Sequence, residues 1–214
     1  MNIIVQKFGG TSVSTEDRRK QVAVKVKEAI DNGFTPIVVV SAMGRKGQPY
    51  ATDTLLTLID DKFKESNRNS KDLLMCCGEI ISSVVVANAL YNEGIQAVPL
   101  TGGQAGIITD DNFCEAEYIS IDIDRLLSVV REGKVPVVTG FQGITKDGYF
   151  TTLGRGGSDT TACIIGNAVN AKEIEIYTDV DGIMTADPRI VEDASLIDEI
   201  RIMKFFNWQI KELK

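Results

Sequence analysis

An arginine flanked by glycines is the most distinctive chemical feature of the sequence. Residues 151–162 read TTLGRGGSDTTA, so Arg155 stands on a glycine-rich turn immediately before a predicted helix. A guanidinium group can bind a carboxylate through two parallel hydrogen bonds, and a helix N-terminus also attracts anions. Ser158 and Asp159 suit helix capping, but capping requires neither the glycines nor the arginine. The pattern therefore predicts a site for an anionic ligand.

Two further motifs lie at the ends of predicted strands. Residues 7–12 read KFGGTS, where glycine N–H groups can approach a phosphate and Lys7 can neutralise it. Residues 178–189 read TDVDGIMTADPR, where a hydroxyl and carboxylates suit a nucleotide and Arg189 suits a phosphate. Each motif alone also fits an ordinary turn. Neither has the GxxxxGK(S/T) spacing of a P-loop or the GxGxxG spacing of a dinucleotide-binding fold.

The composition excludes several classes of chemistry. The sequence contains no histidine, which removes Ser–His–Asp triads, Cys–His pairs and histidine metal sites. Its four cysteines lack CxxC spacing, so we expect reduced, buried thiols rather than a zinc or redox site. A net charge of −7 argues against a nucleic-acid partner. Because no apolar run approaches the roughly 18 residues of a membrane span and no leader precedes the first strand, we expect a cytoplasmic protein without a membrane partner.

The elements that must position these motifs follow from the apolar pattern. Short apolar runs predict strands at 3–8, 36–41, 95–100, 135–139 and 173–178. Longer amphipathic stretches predict helices at 14–30, from 53, at 72–91, 123–132 and 158–170. We expect Ser14 and Ser158 to cap two of them, and a hairpin at 143–152. This β–α alternation predicts an α/β fold with a mainly parallel sheet, whose ligands bind beyond the carboxyl ends of the strands.

The three motifs, in this order, resemble those of the aspartate kinases of the amino-acid-kinase family. Shorter segments agree as well, at 40–44 (VSAMG), 51–53 (ATD), 77–79 (CGE), 101–106 (TGGQAG) and 140–143 (GFQG). The resemblance covers about residues 4–189, and loop 44–53 is most similar to Gram-positive bacterial forms. It implies a three-layer α/β/α sandwich. It also implies ATP-dependent phosphorylation of L-aspartate to 4-phospho-L-aspartate, the first step of lysine, threonine and methionine biosynthesis.

The resemblance also implies roles for individual residues. The implied ATP-binding residues are Lys7, Phe8, Gly9, Gly10, Thr178, Asp179, Met184 and Arg189. The implied substrate-binding residues are Ser41, Thr52, Glu79, Arg155, Gly156, Gly157 and Ser158. Lys7, Arg155 and Asp159 form the implied catalytic set, in which Arg155 binds a carboxylate and Asp159 organises the site. Separately, the position of Lys7 at the end of a predicted strand leads us to expect its side chain near solvent. Glu79 binds the ammonium group of aspartate, and Mg²⁺ is carried by ATP without an assigned protein ligand.

Such a reaction fits the absence of histidine. A free carboxylate, with a pKa of about 4, is already ionised at neutral pH and needs no general base. Catalysis would then depend on bringing two anions together and neutralising their charge with Lys7, Arg155, helix N-termini and Mg²⁺.

The C-terminal part departs from the family pattern. Family members generally have about twice this length and end in small ACT domains. We interpret residues 1–200 as an incomplete, C-terminally truncated catalytic domain and residues 201–214 (RIMKFFNWQIKELK) as a divergent tail. One hypothesis is a frameshift. Codons for 207–214 can be chosen that encode, in another reading frame, Leu-Ala-Asp-Lys-Gly-Ala-Lys, which is the segment expected in the family at this point. A genuine divergent helix or a trimmed gene is the alternative, and an uninterrupted ancestral frame would exclude the frameshift.

Other functions stay open at this point. A different kinase of the family could act on glutamate, acetylglutamate, carbamate or uridylate, and a non-catalytic fragment could bind ATP or aspartate without turnover. An assay of ADP release across these acceptors, with calorimetry beside it, separates the three functions. Truncation and the aromatic residues of the tail, Phe205, Phe206 and Trp208, further predict low activity and self-association, that is, a homo-oligomer.

Overall fold

The apolar runs of the sequence become the strands of an α/β fold. The computed structural model describes residues 1–178, 182, 185, 191 and 193–195. Its strands are β1 Ile3–Phe8, β2 Thr35–Val40, β3 Ala97–Leu100, β4 Ile107–Thr109, β5 Tyr118–Ile121, β6 Val135–Thr139, β7 Gln142–Ile144, β8 Phe150–Thr152 and β9 Glu173–Tyr177. Its α-helices are α1 Glu16–Asp31, α2 Thr52–Leu55, α3 Asp61–Ser66, α4 Arg68–Asn92, α5 Asp124–Arg131 and α6 Gly157–Ala168. Leu56–Leu58 is a 3-10 helix.

Five of these strands form a parallel sheet in the order β3-β6-β2-β1-β9. Lys7 of β1 pairs in register with Val39 of β2 and Ile176 of β9. Nearly every residue of β1, β2 and β6 is buried, as expected for strands that are covered on both faces. The carboxyl ends of β6, β2 and β1 consequently lie side by side at one edge of the sheet.

Helices cover both faces of this sheet. Leu126 of α5 and Ile165 of α6 belong to one buried apolar cluster together with Val5 of β1. Leu90 of α4 belongs to a second cluster together with Val38 of β2, and α1 contributes to that cluster too. The predicted three-layer α/β/α sandwich with a mainly parallel sheet is thus confirmed.

A second sheet combines β5, β4, β7 and β8 in that order. The antiparallel pair β7–β8 is the predicted hairpin, and β4 pairs with β5 in antiparallel and with β7 in parallel orientation. The sequence analysis did not predict β4 or β5, which have only three and four residues. Strands this short show too little alternation to be recognised from the sequence, and their place is fixed by their partners.

Three predicted helix boundaries are wrong. Thr15 rather than Ser14 caps α1, since its Oγ1 accepts the N–H of Arg18 at 3.3 Å. Helix α4 begins at Arg68, four residues before the predicted start at 72, because polar residues there continue the helix as an exposed first turn. Gly156 in a left-handed conformation precedes α6, so Ser158 lies inside the helix and does not cap it.

In the described part of the chain, one helix, α4, has the length and the apolar composition of a membrane-spanning helix. Half of its most apolar stretch is buried in the fold, and core helices of soluble proteins commonly meet the same criterion.

By its internal contacts the chain divides into two units, Met1–Thr178 and Asp179–Lys214. In the second unit, Thr185 and Ser195 are joined by two hydrogen bonds. The N–H of Thr185 donates to the Ser195 carbonyl at 2.9 Å, and the N–H of Ser195 donates to Thr185 Oγ1 at 3.0 Å.

Candidate active site

A cavity of about 320 Å³ lies where β6, β2 and β1 end. Residues from separate segments of the sequence line it: Lys7, Ser41, Thr52, Glu79, Phe141, Gly154, Arg155, Gly156, Gly157, Ser158 and Asp159. All seven residues predicted to bind the substrate, and all three of the predicted catalytic set, are among them. They meet because the carboxyl ends of neighbouring parallel strands open on the same edge of the sheet.

Lys7 and Asp159 form an ion pair in this cavity. Lys7 Nζ lies 2.7 Å from Asp159 Oδ1, and the lysine side chain is only 9% exposed whereas that of Asp159 is 48% exposed. The prediction that Lys7 lies near solvent is wrong, because β1 is an inner strand and the first turn of α6 covers its end. The pair fixes the ammonium group at the cavity wall before any ligand binds.

Glu79 also lines this cavity, and one of its carboxyl oxygens has no partner among the described residues. The side chain belongs to α4 and is almost fully buried. Oε1 accepts the N–H of Ala42 at 3.1 Å, and no described residue forms a hydrogen bond with Oε2. Burial raises the pKa of Glu79 to about 8, although the Ala42 N–H opposes this shift. A cationic donor reaching Oε2 would stabilise the ionised form, so this side chain suits the ammonium group of a ligand.

Arg155 extends from a loop that two glycines shape. Gly154 and Gly156 have φ values of +72° and +75°, in the left-handed region that favours glycine. The N–H groups of Asp159 and Thr160 both donate to the Gly156 carbonyl and start α6 directly after the loop. Arg155 is exposed, and within the described part of the chain no carboxylate lies within ion-pairing distance of it. Its guanidinium group is therefore available to an anionic ligand.

Hydroxyl groups complete the wall of the cavity. Ser41 follows β2, and its N–H donates to the Phe8 carbonyl at 3.2 Å. Thr52 begins α2, and Ser158 is the second residue of α6. Ser158 lies so close to Gly140 that a Cβ on Gly140 would be 2.7 Å from Ser158 Oγ. This close contact explains why glycine follows β6 at that position.

The predicted ATP-binding residues are only partly described. The Gly9 N–H donates to the Tyr177 carbonyl at 3.0 Å, and the Gly10 carbonyl accepts the N–H of Gly44 at 2.9 Å, so both glycines tie the end of β1 to its neighbours. The ring of Phe8 is buried and stacks on Tyr177 with 4.6 Å between centroids. Phe8 and Thr178 line a separate cavity of about 240 Å³. Asp179, Met184 and Arg189 lie outside the described residues.

Several residues of this region were not among the predicted site residues, and the following four are examples. Phe141 and Gly154 line the main cavity, and Arg45 and Lys46 line a neighbouring cavity of about 220 Å³ that shares Ser41, Thr52 and Glu79 with it. Phe141 has a φ of +69°, which is unusual for a non-glycine residue and often marks a functional site. Its place directly after β6 was a usable signal, because ligands bind beyond strand ends.

The described residues include no group of three or more Cys, Asp or Glu side chains arranged to hold a metal ion. Asp159 is the one aspartate among the described residues that line the main cavity. Mg²⁺ is commonly bound through one or two carboxylates together with substrate phosphates. This donor set fits an ion that arrives with a nucleotide.

All four cysteines are free thiols. Cys76 is buried, and burial raises its pKa, whereas Cys163 is exposed. The expectation of buried thiols therefore holds for Cys76 but is wrong for Cys77 and Cys114, which are partly exposed, and for Cys163 on α6.

Comparison with known proteins assigns the family. The sequence profile described as "Amino acid kinase family" matches residues 2–211. The chain belongs to this family. It is 50% identical over 207 residues to aspartokinase 1 of Bacillus subtilis, covering 97% of this chain and 51% of that protein. It is 44% identical over 200 residues to an aspartokinase of Geobacillus stearothermophilus, covering 94% of this chain and 48% of that protein. The chain thus spans about half the length of these curated relatives.

Solved structures of the amino acid kinase family agree with this fold. The aspartate kinase of Synechocystis is 42% identical with a TM-score of 0.73, covering 92% of this chain and 32% of that one. E. coli aspartokinase III in complex with aspartate and ADP is 28% identical with a TM-score of 0.76, covering 92% of this chain and 53% of that one. An isopentenyl phosphate kinase at 22% identity and a TM-score of 0.69 shares the fold.

Proposed function

We propose that this chain is the catalytic part of an aspartate kinase, which transfers the γ-phosphoryl group of ATP to the side-chain carboxylate of L-aspartate. One observation carries the proposal: Glu79, whose Oε2 has no hydrogen-bond partner in the described part of the chain, and Arg155, whose guanidinium group is available, line the same cavity. A carboxylate and a guanidinium group together complement an amino acid that has an ammonium group and a second carboxylate. The names of the relatives, and the aspartate and ADP bound to one of them, support the same substrate pair.

In this proposal the substrate supplies its own nucleophile. A carboxylate oxygen of aspartate attacks the γ-phosphorus of ATP, the bond from that phosphorus to the β,γ-bridging oxygen breaks, and ADP leaves with the bond electrons. The aspartate side chain, with a pKa of about 3.9, is ionised at neutral pH, so no proton needs to be removed. The task of the protein is to orient two anions and to neutralise charge that develops in transfer.

The residues of the cavity divide this task. Arg155 binds a carboxylate of aspartate, and Glu79, once ionised, binds the ammonium group. Lys7 neutralises the transferred phosphoryl group, and Asp159 holds the Lys7 ammonium group in place through the ion pair. Ser41, Thr52 and Ser158 supply hydroxyl donors. Mg²⁺, carried by the phosphates of ATP, supplies further charge neutralisation when bound.

The experiment that tests this proposal uses the whole 214-residue chain. ADP release is measured with aspartate, glutamate, N-acetylglutamate and water as acceptors, and hydroxylamine traps any acyl phosphate as a hydroxamate. Of the four acceptors, we expect only aspartate to give a hydroxamate. Equal turnover with another acceptor would identify a different kinase of the family. Calorimetric binding of ATP and aspartate without any hydroxamate would identify a non-catalytic binding fragment.

A further inference from the structure

Asp72 lies outside the proposed binding site, yet its carboxylate connects two of the segments that shape that site. We propose that Asp72 is a positioning residue, which fixes the base of the Arg155 loop relative to Glu79 and thereby sets the length of ligand that the cavity accepts. The identity of that ligand rests on the function proposed above, whereas the positioning of the loop does not.

The carboxylate of Asp72 is fully buried and accepts three hydrogen bonds. Oδ1 accepts the hydroxyl hydrogen of Thr152 at 2.8 Å, and Oδ2 accepts the N–H groups of Thr152 at 3.0 Å and Cys114 at 2.9 Å. A buried carboxylate is tolerated only where donors satisfy it, and such donors are in turn costly to leave without an acceptor. The three groups therefore hold each other in one arrangement.

These hydrogen bonds clamp the base of the loop that carries Arg155. Thr152 ends β8, two residues before Gly154, and its carbonyl accepts the N–H of Ala116 at 2.8 Å. The backbone of Cys114 and Glu115 comes within about 4 Å of the position where a side chain on Gly154 would begin. Asp72 thus forms hydrogen bonds with both segments that lie beside Gly154, one containing Thr152 and the other Cys114.

The same helix face carries Glu79 into the cavity. Asp72, Cys76 and Glu79 follow at intervals of four and three residues on α4, and all three are buried. Between the two carboxylates, the Cys76 carbonyl accepts Gln142 Nε2 of β7 at 3.2 Å. Seven residues of α-helix span about 10 Å, a distance that a helix keeps nearly constant. A rigid helix therefore links Glu79, which would receive the ammonium group of a ligand, to the base of the loop whose Arg155 would receive a carboxylate.

A defined separation between these ends discriminates by ligand length. Loss of the Asp72 clamp is expected to let the Arg155 loop move, which weakens binding of aspartate and relaxes its discrimination against glutamate, the homologue with one more methylene group. A merely structural Asp72 would lower the stability of the fold without changing that ratio.

The test compares three variants of the full chain. Asp72→Ala removes all three acceptor contacts. Asp72→Asn keeps one acceptor oxygen for the two N–H groups, and its amide can donate to the Thr152 hydroxyl oxygen. Leu90→Ala, a fully buried position at the other end of α4, is the matched control for lost stability. Calorimetry measures the affinities for aspartate, glutamate and ATP, and thermal unfolding measures stability.

We expect Asp72→Ala to lower aspartate affinity by about tenfold to a hundredfold, because small displacements of binding groups have effects of this size. The aspartate-to-glutamate ratio should fall, and ATP affinity should stay unchanged. Asp72→Asn should restore most of the affinity, and Leu90→Ala should leave the ratio intact. The proposal is overturned if the ratio of aspartate affinity to glutamate affinity is unchanged in Asp72→Ala. It is also overturned if Leu90→Ala lowers the melting temperature equally and changes this ratio by the same amount.

Amide hydrogen exchange of residues 153–159 gives a readout that needs no ligand. In the structure the N–H of Leu153 donates to the Phe141 carbonyl and that of Gly157 to the Gly154 carbonyl, so both amides report on the loop. They should exchange faster in Asp72→Ala but not in Asp72→Asn or Leu90→Ala, and unchanged exchange would overturn the positioning role. Faster exchange in a chain whose wild type binds no aspartate would refute the proposed function while supporting the positioning role. Should Asp72→Ala fail to fold, Thr152→Val against Thr152→Ser provides the same comparison.

Discussion

The two cations of the cavity are held in different ways, and the difference indicates different roles. Lys7 is buried and paired with Asp159, so its ammonium group has a fixed position and a partly satisfied charge. Arg155 is exposed on a glycine loop and has no carboxylate partner within the described part of the chain. A fixed cation suits a phosphoryl group that must be stabilised during transfer, whereas an available guanidinium group suits the capture of a carboxylate.

The first prediction concerns Arg155→Lys. Lysine keeps the positive charge but loses the planar fork, and hydrogen bonds to charged groups contribute about 1.5–3 kcal/mol. We expect aspartate binding to weaken by about that amount and ATP binding to stay as it is, measured by calorimetry. Arg131→Lys, at the end of α5 and outside the lining of the cavity, is the matched control. Unchanged aspartate affinity in Arg155→Lys would show that Arg155 does not contact the substrate.

The second prediction concerns Lys7→Met, which replaces the lysine by an uncharged side chain of similar length. Because Lys7 is buried, a change to alanine would also remove packing, and methionine avoids that loss. We expect turnover to fall by a factor of about 100 to 1,000, the usual effect of removing one group that stabilises charge in transfer. The melting temperature should change little. A turnover rate equal to that of wild type would rule out the phosphoryl-stabilising role of Lys7.

The third prediction follows from the raised pKa of Glu79. Its pKa is about 8 in the folded chain against the ordinary 4.5, so the folded state keeps a proton that the unfolded state loses between these values. The contribution of Glu79 to stability is greatest below about pH 4.5 and declines as the pH rises to about 8. Glu79→Gln cannot ionise, and its gain in melting temperature over wild type should be larger at pH 8 than at pH 5. Equal differences at both pH values would contradict the raised pKa.

The fourth prediction, at the scale of elements, concerns the left-handed glycines. Gly156 (φ +75°) precedes α6, and Gly148 (φ +85°) lies in the turn between β7 and β8. Within the described part of the chain, no atom lies within 4 Å of a Cβ built on either glycine. Alanine at either position should lose about 1–2 kcal/mol of unfolding free energy, the cost of a left-handed conformation. Only Gly156→Ala should also weaken aspartate binding, because it reshapes the loop of Arg155. Equal binding by both variants would indicate that the loop conformation is not needed for the substrate.

Elements with a strong local pattern were the ones that sequence analysis placed correctly. β1, β2 and β6 are continuous apolar runs because both of their faces are buried, and each was predicted to within a residue. β4 and β5 take their conformation from neighbours that are distant in sequence, so a local pattern does not reveal them. Likewise, α6 begins after Gly156 because that glycine is left-handed, and the sequence pattern around Ser158 does not reveal this conformation.

Most residues of the main cavity were predicted, apart from Phe141 and Gly154, while its electrostatics were not. Lys7 lies near the end of β1, Ser41 follows β2 and Arg155 precedes α6, and the parallel topology brings such positions together. The burial of Lys7 and Glu79 results from the packing of α6 and α4 over strand ends, which no short stretch of sequence encodes. The ion pair of Lys7 and the raised pKa of Glu79 therefore became visible only in the folded chain.

At the scale of the whole molecule, every residue that lines the main cavity lies within the unit Met1–Thr178. The residues predicted to bind ATP extend from Lys7 to Arg189 and hence beyond that unit. The proposed binding of aspartate and the proposed binding of a nucleotide therefore depend on different parts of the chain, and aspartate binding can be measured by itself.

The fifth prediction is that aspartate binds and stabilises this chain without a nucleotide. A ligand at a hundred times its dissociation constant adds about 2.7 kcal/mol to the free energy of unfolding. Succinate, which lacks the ammonium group, and asparagine, which lacks the side-chain carboxylate, should each raise the melting temperature less than aspartate at equal concentration. Glu79→Gln should remove most of the difference between aspartate and succinate, because its side chain cannot form an ion pair with the ammonium group. Stabilisation by aspartate only after ATP is added would instead place part of the aspartate site on the nucleotide or beyond Thr178.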